Sequence, residues 1–450
     1  MGLSLSTALA FAVTAALTLT LRPLALRLRI TDKPGGRKQH IGEIPLVGGI
    51  AMFIGTLVAA MTAVQTTGLW TLLVPAALLV IVGVIDDRFN IGVSARLAAQ
   101  TCAVLIMMIG GGLYLRDIGD PFGTGRLGLG ILAVPGSVLV ALSVINAFNF
   151  IDGIDGLAAS MAVIGLAAAG LATGLGAPAV SVAAMACGAI LGFLLFNFPA
   201  FRNRHLRTFM GDAGSTLLGF VVVWFALSIC QGADRSMSPV AALWFALMPL
   251  SDFFSCFVRR VARGKMPLHA GREHFHYVLM RAGLSGRQVL AVLLAFSVLY
   301  AAVGLIGART KLPDWALFAP WFTLLASQSF IIRGLAVHLR HRRWRASQIV
   351  VEMPASVAAT HSLMRRSRPL AARQRNGQIS RRGRCVEGVV SFTSGKDTAN
   401  HVVISGEKDP DAINVRMCTL DSVLEGESPA VAKIDVEGFE TPHSREHRKS

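Results

Sequence analysis

The chain has 450 residues, 53% of them hydrophobic, and it nevertheless carries a formal net charge of +17. Up to about residue 333, apolar runs of bilayer-spanning length follow one another, and arginine dominates afterwards. This composition excludes a water-soluble globular protein. The excess of basic residues lies in short loops and after the last apolar run. This distribution favours a membrane surface over nucleic acid as the partner of the chain. The six cysteines show no CxxC pairing, so neither a disulfide framework nor a zinc site is predicted.

The apolar runs predict an all-α multi-pass integral membrane protein, a bundle of about eleven transmembrane helices with a polar C-terminal extension. The predicted spans are residues 3–21, 46–64, 69–85, 95–112, 128–144, 157–175, 179–197, 215–230, 238–258, 289–308 and 315–333. Basic residues follow the first run, whereas a cleaved signal peptide would carry them in front, so we expect a retained span with its N-terminus outside. The loops near 86–94, 145–156, 198–214 and 259–288, three of them rich in basic residues, are then cytoplasmic.

A polar island lies at residues 146–156, where Asn146, Asn149, Asp152 and Asp155 separate two predicted spans. Ionisable groups beside the bilayer are costly unless they are hydrated and used. A plain hydrophilic turn is the alternative, but such a turn has no need of four groups able to bind a hydroxyl, a base or a cation. The island is therefore a candidate site.

Asp86 and Asp87 close the third predicted span. Adjacent helical residues point about 100° apart, so one carboxylate can face a cavity while a neighbouring base or amide holds the other. The alternative is a hydrophilic helix end, although aspartate at a C-terminal end opposes the helix dipole. A division of roles between the two is the favoured interpretation.

Asp212 lies between Gly211 and Gly214 at the start of another predicted span. Glycines would let the backbone approach a phosphate, and a helix N-terminus favours anions. A carboxylate among phosphates needs a cation between them, and magnesium is the oxygen-seeking ion that usually supplies it. A simple N-cap is the alternative interpretation.

His274 and His276 lie in the longest predicted cytoplasmic loop, with no further ligand at zinc spacing. Hydrogen bonding to a sugar or phosphate suits this loop, and a solvated surface pair is the alternative. Together the four clusters offer carboxylates, amides, a cation site and basic side chains at one membrane face. This set of groups suits phosphoryl transfer. A lipid or solute carrier, the rival class, would place its polar groups near the middle of broken helices.

The motifs resemble those of the polyprenyl-phosphate N-acetylhexosamine-1-phosphate transferases. The matching stretches, in the family's order, are residues 32–34, 44–49, 86–89, 146–156, 209–219, 238–244 and 280–283. WecA-like members are the most similar, which implies transfer of GlcNAc-1-phosphate from UDP-GlcNAc to undecaprenyl phosphate in the bacterial inner membrane. The resemblance further implies release of UMP, the start of a lipid-linked glycan, and magnesium as cofactor with manganese as the alternative ion. The MraY branch, which uses UDP-MurNAc-pentapeptide, is the alternative enzyme, and a homodimer stays open.

The resemblance also implies roles for single residues. Asp212 and Asn149 would hold magnesium, and Asp86, supported by Asp87, would be the base towards the lipid phosphate. The remaining implied site residues are Asp152 and Asp155 in the nucleotide network, and Asn146, Arg96, Phe209, Arg260, His274 and His276 on the substrates. The WecA-like histidine loop ordinarily reads His-Ile-His-His, and its last position here is Tyr277, which cannot become cationic. The sugar therefore stays open.

The predicted organisation has three parts: a membrane transferase domain at 1–335, an Arg-rich disordered linker at 336–384 that lies on anionic lipid, and a C-terminal segment at 385–450. Within that segment, residues 418–424 and 432–440 are similar to FkbM-type methyltransferases. Only some 55 residues match and no glycine-rich nucleotide turn precedes them. A fragment without S-adenosylmethionine is therefore expected, with a membrane-tethered methyltransferase as the alternative.

Overall fold

The computed structural model describes residues 2–32, 42–62, 68–174, 176–200, 206–231, 235–264, 266, 271, 273–351, 388–393 and 412–417. The chain divides into two units, Met1–Arg343 and Trp344–Ser450.

The first unit is a bundle of α-helices. In chain order they are α1 Leu3–Leu28, α2 Gly48–Met61, α3 Trp70–Phe89, α4 Val93–Gly111, α5 Ala133–Ile151, α6 Leu157–Thr173, α7 Pro178–Asn197, α8 Gly211–Gln231, α9 Pro239–Leu243, α10 Leu247–Ala262, α11 Phe275–Arg281, α12 Gly286–Arg309 and α13 Asp314–Val351, the last of which continues into the second unit. Short 3-10 turns, Gly130–Leu132 and Trp244–Ala246, precede α5 and join α9 to α10. Two-residue strands, β1 Thr31–Asp32 and β2 Ile44–Pro45, pair antiparallel after α1.

Each of the eleven predicted spans corresponds to helix. In the described part of the chain, nine helical segments are long and apolar enough to cross a membrane, with Pro239–Ala262 counted as one, and α2 and α6 are shorter at 14 and 17 residues. The prediction of an all-α multi-pass membrane protein is confirmed. The helices α1 and α13 run past their predicted ends because arginine, which ends an apolar run, is a good helix former.

Helix α8 lies at the centre of the bundle, and most of its residues are buried. Small residues let its first turn approach two neighbours closely: Gly49 of α2 contacts Gly214, and Gly83 of α3 contacts Ala213. Interfaces of small residues are the usual means of close packing between membrane helices. This packing brings the end of α3 against the start of α8, where Asp212 lies.

The second unit contains two described strands, β3 Gly388–Thr393 and β4 Ala412–Met417, paired antiparallel. Helix α13 continues to Val351, so residues 336–351 are helical where the sequence led us to expect disorder. Too little apolar surface for a core does not prevent a helix rich in arginine and alanine. The rest of the predicted linker and both methyltransferase-like motifs lie outside the described residues, and the three-part division stays a prediction.

Candidate active site

Three helix ends bring two carboxylates and a guanidinium together. Arg96, in the first turn of α4, lies 3.2 Å from Asp86 at the end of α3 and 3.5 Å from Asp212 at the start of α8. The side chain of Asp86 is only 2% exposed, whereas that of Asp212 is 36% exposed. Asp212 is therefore the carboxylate open to an incoming ligand, and Asp86 faces Arg96 from the protein side.

Asp87 holds the start of α8. Its two oxygens accept the backbone N–H groups of Asp212 at 2.8 Å and Ala213 at 3.4 Å. Gly211 has a φ of +70°, and a Cβ there would collide with the Asp87 carboxylate. The glycines beside Asp212 thus provide a positive φ and close packing, and their approach to a phosphate stays a prediction. The anion that this helix N-terminus stabilises is Asp87.

Helix α5 supplies the two asparagines. Asn149 donates from Nδ2 to Asp212 Oδ1 at 2.7 Å and to Ser215 Oγ at 2.9 Å. One turn earlier, Asn146 donates to Gln100 Oε1 of α4 at 2.8 Å. Asn149 therefore contacts the acidic cluster directly, while Asn146 ties α5 to the helix that carries Arg96.

Asp152 follows α5 and adds a further acid. Burial, with the negative charges of Asp212 and Asp155, raises the pKa of its carboxyl to about 8. Carboxylate and amide oxygens gathered in this way are the ligands that magnesium and manganese prefer. The donor set around Asp212 and Asn149 thus fits a hard divalent cation.

The carboxylate of Asp155 is held by contacts within the protein. Arg207 donates from Nη2 to both of its oxygens, at 2.9 and 2.7 Å, and the same guanidinium lies 4.7 Å from the Phe209 ring centroid. Arg22 of α1 donates to the Arg207 carbonyl at 2.7 Å. Phe209 itself lies between the backbones of Pro45 and Gly48. These contacts fix the two loops that precede α6 and α8.

The histidine loop meets the polar island at one point. His276 is 1% exposed, and a Cβ on Gly153 would collide with its imidazole. Among the described residues, neither ring nitrogen of His276 has a hydrogen-bond partner. Burial lowers its pKa to about 4, against the opposing charge of Asp252, so the ring is neutral at physiological pH. An unpaired buried ring beside an acidic loop has hydrogen bonds left for a substrate.

Arg260 and His274 surround the ring of Phe150, the residue after Asn149. The guanidinium of Arg260, a residue 4% exposed, lies 5.9 Å from that ring, and the imidazole of His274 packs edge-on at 5.5 Å. Arg260 also lies 3.7 Å from Glu273. Both residues predicted to bind the donor therefore lie at the C-terminal end of α5, the helix that carries Asn149.

An apolar cavity of about 320 Å³ runs along the inside of the bundle. Its walls come from α5, α6, α8, α9, α10 and α13, with Pro121 from the segment between α4 and α5. Its lining includes Val144 of α5 and Leu250 of α10. Its lining is suited to hydrocarbon.

Comparison with known proteins agrees with this geometry. The profile of glycosyl transferase family 4 matches residues 69–230, which include Asp86, Asn149 and Asp212. The undecaprenyl-phosphate alpha-N-acetylglucosaminyl 1-phosphate transferase of Yersinia pestis is 37% identical over 334 residues, 73% of this chain and 89% of that protein. The chain belongs to glycosyl transferase family 4.

Two further relatives in the family carry the same name. The protein of Escherichia coli strain K12 is 33% identical, over 73% of this chain and 88% of its own length. That of Pasteurella multocida is also 33% identical, over 76% of this chain and 95% of its own length. The family predicted from the motifs is thus confirmed, while the resemblance of the C-terminal segment to FkbM-type methyltransferases stays a prediction.

The family motifs did not mark every residue that shapes the site. Arg207 belonged to a basic cluster that the positive-inside rule already explained, yet it pairs with Asp155. Asp252 lies within an apolar run and pairs with His274, 22 positions away. The predicted clusters are neighbours, as expected, and no local signal could have revealed these partners.

Proposed function

We propose that this chain transfers GlcNAc-1-phosphate from UDP-GlcNAc to undecaprenyl phosphate and releases UMP. The contact of Gly153 with His276 carries the proposal, because it joins the histidine loop to the acidic cluster. Donor-binding and cation-binding groups then face one reaction centre. The names of the relatives, which specify this reaction for those proteins, support the same choice.

Asp212, with Asn149, would hold the divalent cation on the donor diphosphate, and magnesium is our choice of ion. When bound, the ion neutralises charge on the diphosphate and on the UMP leaving group. Arg96 adds a fixed positive charge at the same place. The lipid phosphate oxygen attacks the phosphorus that bears the sugar, and the bond from that phosphorus to the UMP oxygen breaks. Asp86 is the candidate base for the lipid phosphate proton.

The two substrates would approach from different sides. The donor's sugar-diphosphate part would lie against His274, His276 and Arg260. The first isoprene units of the acceptor would enter the apolar cavity, whose walls include part of α5, the helix that carries Asn149. The phosphate of the acceptor would then reach Arg96 from the membrane side.

The catalytic end of the bundle is proposed to face the cytoplasm of a bacterial inner membrane, with the N-terminus outside. Single cysteines at Gly68 and Gly153, in a background without native cysteines, test this orientation. Labelling of position 153 only from outside would overturn it.

Purified full-length protein, supplied with UDP-GlcNAc, undecaprenyl phosphate and magnesium, should release UMP and form a lipid-linked pyrophosphoryl sugar. A panel of UDP-N-acetylhexosamines and UDP-MurNAc-pentapeptide would identify the donor, which Tyr277 at the end of the histidine loop leaves open. Turnover with the pentapeptide alone would make the chain an MraY-type enzyme. No product from any donor would favour a lipid carrier.

A further inference from the structure

Asp252 is a buried carboxylate that joins α10 to the histidine loop. The residue is 0% exposed, and one of its oxygens lies 2.7 Å from Nδ1 of His274. Its other oxygen accepts the backbone N–H of Phe275 at 2.7 Å, at the start of α11. Both oxygens are therefore committed to adjoining residues of one loop.

These two bonds fix the proton on the imidazole. An ionised carboxylate can only accept, so Nδ1 of His274 must carry the hydrogen that lies between them. In the neutral ring the second nitrogen, Nε2, then carries the lone pair, which can accept a hydrogen bond or a proton. The imidazole edge opposite Asp252 is in this way prepared for a ligand.

The surroundings of the ring show where that edge belongs. His274 packs edge-on against Phe150 at 5.5 Å and lies parallel to His276 at 5.8 Å. Phe150 follows Asn149, whose amide contacts Asp212. The ring is thus held between α10 and the groups assigned to the donor.

A metal ion between these side chains is the competing explanation. Ligand atoms of Asp252, Cys256 and His274 lie within 4.8 Å of one another. The guanidinium of Arg259, however, donates to the Cys256 sulfur at 3.2 Å, so this sulfur already has a hydrogen-bond partner. A contact of 2.7 Å between oxygen and Nδ1 is also the length of a direct hydrogen bond. A proton therefore suits this position better than an ion.

We propose that Asp252 is a positioning residue, which holds His274 in the Nδ1–H tautomer so that Nε2 meets the sugar-diphosphate part of the donor. The tautomer follows from the contacts of Asp252, and its use on the donor rests on the proposed function. Asp252 itself does not touch the substrate.

The substitution Asp252→Asn separates positioning from packing. The N–H of Phe275 would keep the amide oxygen at its present place, so the NH₂ group would face His274 and donate to Nδ1. Both hydrogen bonds survive, but the proton moves to Nε2. In serine-protease triads the equivalent change costs about 10⁴-fold in kcat because the histidine adopts the wrong tautomer. We expect UMP release to fall roughly 10²- to 10⁴-fold with the thermal midpoint little changed.

The control is Cys256→Ser, which alters the other neighbour of Nδ1, at 3.4 Å, and should leave turnover within a few-fold of the parent. In the background His274→Gln, Asp252→Asn should cause no additional loss of rate. Full turnover in Asp252→Asn, or an equal additional loss in the His274→Gln background, would overturn the positioning role.

The tautomer can be read without turnover. Histidine-selective ¹⁵N NMR of the full chain, with His274→Gln to assign the signal, should show Nδ1 protonated in the parent and Nε2 protonated in Asp252→Asn. The opposite tautomer in the parent overturns the proposal even if Asp252→Asn does not fold. If the parent releases no UMP, the proposed function fails while the NMR result still decides what Asp252 does to His274.

Discussion

Asn149 and Asp212, 63 positions apart in the chain, are joined by a hydrogen bond of 2.7 Å from the asparagine amide to a carboxylate oxygen. The amide nitrogen is thereby directed at the carboxylate, and the amide oxygen is left for another partner. Asn149 can act on a cation in two ways, either as an oxygen ligand or by orienting Asp212. These two roles give opposite results in one substitution.

Asn149→Asp replaces the hydrogen-bonding amide with a second carboxylate. If the amide oxygen is a ligand, this variant should keep activity and require less magnesium for half-maximal UMP release, because a carboxylate binds the ion more strongly. If Asn149 only orients Asp212, like charges would repel and activity should fall further than in Asn149→Ala. We expect the first result, with Asn149→Ala needing roughly tenfold more magnesium. The magnesium titration of UMP release distinguishes the two.

Gly153→Ala should weaken binding of the donor without unfolding the protein. Its Cβ would occupy space taken by the His276 imidazole, so the ring must turn away from the acidic loop. We expect at least a tenfold rise in the KM for UDP-GlcNAc, of the order expected for a misplaced binding group. Gly136→Ala is the matched control because, in the described part of the chain, no atom lies closer than 4.0 Å to a Cβ there. Equal kinetics for both variants would remove His276 from the donor site.

His276 should make the fold sensitive to acid. Its pKa is about 4 in the folded protein, because burial disfavours the charged ring, against about 6.5 for an exposed histidine. As pH falls from 6.5 to 4, the unfolded chain takes up the proton first, so the free energy of unfolding decreases, whereas above pH 6.5 His276 contributes nothing. The apparent Tm of His276→Gln should therefore drop less between pH 7.5 and 5 than that of the parent. Parallel curves for His276→Gln and the parent would contradict the buried neutral ring.

Hydropathy predicts the helices of this chain well because a bilayer demands long apolar runs with satisfied backbones. The grouping of Asp86, Asn149 and Asp212 was also predictable, since charge asymmetry places their helix ends on one face. The reason for Gly211 and Gly214 was not predictable, because a glycine needed for close packing looks the same in sequence as one that admits a phosphate. The facing residues, Asp87 and Gly49, show the packing role, while the approach of a phosphate stays a prediction.

Contacts between residues on different helices are the second feature that could not be predicted from the sequence. Asp252 stands among apolar residues with no motif around it, and its partner His274 comes from the far side of a long loop. A buried charge within a membrane helix is nevertheless a signal in itself, because such a residue is costly unless paired. That rule marks Asp252 as important but cannot name its partner.

Asp86 has two possible roles in the proposed reaction. Its carboxylate is 2% exposed and contacts Arg96 at 3.2 Å, so it can act as the base or merely hold the guanidinium that faces Asp212. A base contributes about 10²- to 10⁴-fold to the rate on its own account. We therefore expect Asp86→Asn to lose about that factor in kcat, and Arg96→Gln to act mainly through the KM for the substrates.

A double-mutant cycle decides between the two roles. If Asp86 is the base, the double variant should be clearly slower than Arg96→Gln alone, although the 3.2 Å ion pair couples part of the two losses. If Asp86 only holds Arg96 in place, turnover by the double variant should be no slower than by Arg96→Gln alone. Asp120→Asn, near the opposite end of the bundle, keeps the oxygen that accepts the Gly125 N–H and controls for the chemical change.

Calorimetry with UDP-GlcNAc and magnesium should show donor binding intact in Asp86→Asn and weakened in Asp212→Asn, and the reverse pattern would exchange the roles of the two carboxylates.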